Sequence, residues 1–139
     1  MRRAICVALA ICAGISILGA SVAGAHKVKY KSIVEIDGYE FRGAFLGGVG
    51  SFDNKRCSRG RKVSVWKLNP GAMDGPFGTA KTNRKGAWRL EVQALPGTYY
   101  AVVKPKAIGR SKGHRHLCRG DESSRFQVGA LPFGARGSG

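Results

Sequence analysis

Residues Thr79–Val92 read TAKTNRKGAWRLEV, and this stretch decides the fold. Thr79–Thr82 runs into Asn83-Arg84-Lys85-Gly86, where Gly86 suits the positive φ that a short hairpin with a bulge requires. AWRLEV then puts Trp88, Leu90 and Val92 on one side of an extended chain, a period of two and not of 3.6. A strand, a tight turn and a second strand follow from these residues alone.

Working outward, the same period recurs. Leu95-Pro96-Gly97 turns the chain into TYYAVVK, where Tyr99, Ala101 and Val103 alternate inward. KVSVWKL gives Val63 and Val65 one face and Trp66 and Leu68 the other, and FLGGVGS sets Phe45, Gly47, Val49 and Ser51 on a common face. In HKVKYKSIVEI, Val28 and Tyr30, and by extension Val34 and Ile36, oppose Lys27, Lys29 and Lys31. Lysines along one side protect an exposed sheet edge from stray pairing. SSRFQV closes the pattern with Phe126 and Val128 directed at the core. Two segments break it. NPGAMDGPFG, from Asn69 to Gly78, is dense in turn residues and is expected to be exposed and irregular. Lys104–Leu117 has no apolar period and is expected to form a long loop. The expectation is an all-β chain: an N-terminal strand segment over 26–44, one immunoglobulin- or prealbumin-like β-sandwich of about seven strands over 45–129, and a flexible tail over 130–139.

Ahead of these lies a segment of another kind. Arg2 and Arg3 precede an uncharged run from Ala4 to Ala25 that closes on Ala23-Gly24-Ala25, the small residues of a signal-peptidase site. Residues 1–25 are therefore expected to be a signal peptide cleaved near Ala25, with a retained membrane anchor as the alternative. The mature chain would have no transmembrane segment and would be secreted, extracellular or held in the cell envelope. Cys6 and Cys12 leave with the leader. Cys57 and Cys118 remain, and in an exported domain two cysteines most simply form one disulfide. A zinc site built from them and the histidines is the weaker alternative.

Removal of Arg2 and Arg3 lowers the net charge only from +16 to +14. Such a field attracts polyanions, including acidic polysaccharides, cell-wall polymers and anionic surfaces, and the bland reading is a solubilising coat. No specific nucleic-acid signature is present. The charge is concentrated: Lys55, Arg56, Arg59, Arg61 and Lys62 surround Cys57, while Lys104, Lys106, Arg110, Lys112, Arg115 and Arg119 lead up to and just past Cys118. A Cys57–Cys118 bond would draw the two clusters into one basic patch, the expected polyanion-binding surface.

The order of motifs resembles the transthyretin-like, or carboxypeptidase-regulatory-like, β-sandwich domains of secreted bacterial proteins. The carrying residues are FLGGVGS, Cys57 with RKVSVWK, TAKTNRKGAW, LPGTYYAVV, and CRGDESSRFQV from Cys118 to Val128. The resemblance covers Tyr39 to Val128 and implies a prealbumin-like sandwich that serves as a non-catalytic accessory or binding module. Hydroxyisourate hydrolases share that fold. Their C-terminal Tyr-Arg-Gly-Ser is only partly matched by Ala135-Arg136-Gly137-Ser138-Gly139, and their N-terminal histidine motif has no counterpart.

Little else points to chemistry. The eight acidic residues are scattered at expected turns and edges. No nucleophile elbow, zinc-protease helix or phosphate loop occurs, so no enzyme activity and no cofactor are expected. A metal alternative exists: cleavage after Ala25 would leave His26 as an N-terminal chelator, with His114 and His116 as further nitrogens, in the manner of a copper histidine brace. Arg119-Gly120-Asp121 spells an adhesion tripeptide, but it directly follows a cysteine expected to be tied down.

Overall fold

The alternation read from the sequence is realised in the strands of the sandwich. The computed structural model describes residues 26–129, and within them lie eleven strands and one turn of 3-10 helix. The expected leader, its cleavage site and the tail over 130–139 lie outside the described residues. Strands β2 (Ile33–Glu40), β3 (Ala44–Gly50) and β6 (Ala87–Glu91) form one antiparallel sheet in the order β2-β3-β6. The second sheet runs β10-β7-β4-β5, from Asp121–Glu122, Gly97–Val103, Lys62–Lys67 and Gly75–Lys81, and β11 (Phe126–Val128) also pairs with β7. Beside this sandwich stands a third sheet, β1-β9-β8, from Lys27–Tyr30, His114–Cys118 and Lys106–Ser111. In it β1 runs parallel to β9 while β8 and β9 are antiparallel.

The core lies between the first two sheets. Val34, Phe45, Val49 and Trp88 come from one side, and Val63, Val65, Tyr99, Ala101, Val103 and Val128 from the other. Phe45 is wholly buried, its ring 5.0 Å from that of Tyr99 and 4.8 Å from that of Tyr39. Burying a side chain of this size is worth about 1.5–3 kcal/mol. The Tyr99 hydroxyl, at the rim, donates to the Leu95 carbonyl, so its polar end is not stranded. Burial pushes the Tyr99 phenol above its ordinary pKa. The decisive turn forms as read: Gly86 has φ +89°, and the Asn83 side chain accepts from the amides of Lys85 and Ala87.

Four expectations of the fold need correction. There are eleven strands, not seven. Residues 26–44 are not a separate segment, because β2 is a full strand of the sandwich and supplies Val34 to the core. Within Asn69–Gly78, β5 already begins at Gly75, and Phe77 packs on the core. Asp74 organises the rest of that loop, accepting from the Asn69 amide and the Tyr100 hydroxyl. The Asn69 hydrogen bond first, then Tyr100, holds the Asp74 carboxyl below its usual range.

The largest departure is Lys104–Leu117, expected as a loop and found as the β8–β9 hairpin. Ser111 faces His114 across the ladder, so Lys112-Gly113 is a two-residue turn. Both turn residues have positive φ, 47° and 76°. A turn with two left-handed residues matches the twist of the flanking strands. The apolar alternation is missing because this hairpin has hardly any core to face.

Candidate functional site

Cys57 and Cys118 are bonded, both fully buried, with 61 positions between them. Cys57 ends the 3-10 turn Lys55–Cys57, which the Asn54 side chain caps by accepting from the Arg56 amide. Cys118 ends β9. The bond therefore fastens the third sheet to the sandwich at the point where β4 begins.

Arg61 stands beside that bond and departs from the expected patch: it is 1% exposed. Its Nη1 donates to Ser32 Oγ at 2.9 Å and to the Cys57 carbonyl. Its Nη2 donates to the carbonyls of Lys104 at 2.7 Å and Arg119 at 3.1 Å. Four chain segments thus converge on one guanidinium, whose planar fork can satisfy them together. Its charge is balanced by carbonyl and hydroxyl dipoles, without a carboxylate. Burial draws its pKa below the ordinary value. Arg61 is a structural clamp and is not available to a polyanion. The sequence signal that marks it is weak, since nothing local separates Arg61 from Arg59 or Lys62.

The remaining cations divide into two groups. The first lines a basin made of three adjoining hollows of about 300, 330 and 370 Å³, linked through Gly60, Lys62 and Lys106. The exposed cations Arg56, Arg59, Lys62, Lys81, Lys104 and Lys106 surround it, the buried Arg61 borders it as well, and no acidic residue does. Lys106 Nζ donates to the carbonyls of Arg59 and Gly60 at 3.3 and 3.1 Å, so β8 forms one wall. Lys62 and Lys81 are direct partners across β4 and β5, two like charges face to face. Lys81 had no sequence signal of its own, because it lies far along the chain from both cysteines.

The second group lies on the third sheet. Lys27, Arg115 and Arg110 occupy one row across β1, β9 and β8, all three exposed. Lys29, two positions along β1, shares their face. Lys112 is exposed at the hairpin turn; Lys55 and Arg119 are exposed but line no part of the basin. The single patch inferred from the sequence is therefore two surfaces, and the disulfide lies between them.

Six of the eight carboxylates are engaged elsewhere, and Glu35 and Asp37 lie on β2, away from the basin. Among the described residues the ion pairs are Arg89 with Glu40 and Glu91, and Arg125 with Glu122. The Glu40 hydrogen bond first, then Glu91, raises the Arg89 pKa. Asp53 accepts from the Lys31 amide and Asp121 from the Val34 amide at 2.8 Å. Asp121 therefore ties β10 to β2, and the tripeptide containing it is structural.

The histidines come together in part. The rings of His26 and His114 lie 6.1 Å apart. His116 Nδ1 is 2.8 Å from the Tyr30 hydroxyl and its Nε2 3.0 Å from Ser111 Oγ, so both nitrogens are engaged. Among the described residues no group of three or more His, Cys, Asp or Glu side chains is placed to hold a metal. Nor, among them, is any helix long and apolar enough to cross a membrane. No protein-family model matches the chain, and a search of curated proteins finds no match either.

Proposed function

We propose that the chain is an exported, non-enzymatic β-sandwich module of the transthyretin-like kind, which binds an acidic polymer through the basin around Gly60. The observation that carries this reading is the basin itself: six exposed cations around three joined hollows, Lys62 opposite Lys81, and no carboxylate among the lining residues. Like charges directly opposite destabilise a sheet, so the fold gains nothing from that pair. A bound polyanion would relieve the repulsion and be stabilised by it. The disulfide supports an oxidising compartment. The lining also narrows the partner. It contains no aromatic side chain, and proteins that hold single-stranded nucleic acid stack bases on aromatic rings. A sulfated or carboxylated polysaccharide, or a phosphate-rich wall polymer, needs only cations.

Heparin affinity tests this. Replacing Lys62, Lys81 and Lys106 with Gln should weaken binding by roughly 10- to 100-fold, at about 0.5–1 kcal/mol per surface charge. The loss should shrink as salt rises. A variant with Arg42, Arg84 and Lys85 changed to Gln loses the same charge outside the basin and should bind nearly as the native chain does. Equal losses in both variants would reduce the basin to a share of the overall charge and end the proposal.

A further inference from the structure

The second cationic surface has no part in the basin, and its orientation carries a consequence. Residues directly opposite in a ladder share a face, and the face alternates along each strand. In β9, Cys118 and His116 point toward the disulfide side, and Lys106, the ladder partner of Cys118, reaches back to Arg59 and Gly60. Arg115 directly precedes His116 and occupies the opposite face, in one row with Lys27 and Arg110. The bulge between Ala107 and Gly109 brings Arg110 into that row. The three cations lie on adjacent strands, about 5 Å apart at the backbone. They are exposed, and none has a carboxylate within ion-pair distance among the described residues. Fold stability does not account for a row of three like charges.

We infer that the chain is bivalent: the basin holds one acidic polymer and the Lys27–Arg115–Arg110 row holds a second, so that the protein bridges two strands of an acidic polysaccharide. This rests on the basin reading above, and it adds a second site with the same chemical preference. The row, too, is free of aromatic residues, which again suits a polymer without bases. The alternative is a single polymer that folds over the β8 edge and touches both faces.

Titration with a short heparin oligosaccharide and light scattering with full-length heparin separate these cases. The native chain should bind two oligosaccharides and should cross-link long heparin into scattering particles. A variant with Lys27, Arg110 and Arg115 changed to Gln should keep basin affinity within about twofold, bind one oligosaccharide, and scatter at least tenfold less. The Arg42, Arg84 and Lys85 variant, equal in charge, should scatter like the native chain. One oligosaccharide bound by the native chain, without cross-linking, overturns bivalency and leaves the basin reading standing. Cross-linking that survives in the row variant overturns the assignment to this row. No oligosaccharide bound at all removes the basin reading as well. The native stoichiometry decides bivalency even if a variant folds poorly.

Discussion

In the sandwich, Phe45 lies among Tyr39, Tyr99 and Phe77, and both sheets contribute wholly buried side chains. In the β1-β9-β8 sheet the one buried residue is Cys118. The two regions have the same secondary structure and different sources of stability. The sandwich is held by apolar area removed from water. The third sheet removes much less, with Val28, Tyr30, Ile108 and Leu117 only partly buried. It stays in place through a covalent bond, the hydrogen bonds of Arg61 and a favourable turn. A region held in that way is free to fill its exposed face with charge, and this one does so with Lys27, Lys29, Arg110 and Arg115.

That contrast can be broken at its strongest point first. Phe45→Ala should cost about 3–5 kcal/mol, and both regions should unfold in one transition. Guanidinium denaturation followed by tryptophan fluorescence, with Trp66 and Trp88 as reporters, measures this. A cost below about 1 kcal/mol would mean the sandwich core does not govern stability.

Arg61→Met sharpens the contrast, since it acts on the junction and not on the core. The carbonyls of Cys57, Lys104 and Arg119 lose their donor. The cost should be about 2–3 kcal/mol. Hydrogen exchange should accelerate first at the amides of Arg115 and Arg119, which bond to the carbonyls of His26 and Tyr30. Arg61→Lys should not restore protection, because an ammonium cannot span two pairs of acceptors. Recovery with Lys would show that charge, and not the fork, is what the site requires.

The smallest effect concerns the turn. Lys112 has φ 47°, a conformation that asparagine tolerates better than lysine. Lys112→Asn should therefore stabilise by about 0.5 kcal/mol, seen as slower exchange in β8 and β9 with the sandwich unchanged. A destabilised hairpin would mean that Lys112 contributes through its charge.

How much could be read in advance follows the same division. Val63, Val65, Trp88, Tyr99, Ala101 and Val103 were legible because each sits on a strand with one wet and one dry face. The disulfide was legible because only two cysteines, Cys57 and Cys118, lie outside the expected leader. The β8–β9 hairpin was not, since a sheet with little core leaves no alternation to find. Lys112-Gly113 was the one local sign of it. The basic patch was legible as a quantity of charge and illegible as a surface. Arg61 and Lys62 are neighbours in sequence and both border the basin, yet the Arg61 guanidinium is sealed beside the disulfide while Lys62 is exposed.

By itself, then, the sequence determined the all-β class, the inward residues of the sandwich, the Asn83–Gly86 turn and the excess of positive charge. These depend on local periodicity and composition. The tertiary structure alone decided that Lys81 joins the basin, that Arg61 leaves the surface, and that Arg110 and Arg115 turn away from Lys106. Lys81, Arg110 and Arg115 depend on strand register, where a shift of one residue would send each side chain to the other face. Arg61 depends on the four chain segments that meet its guanidinium.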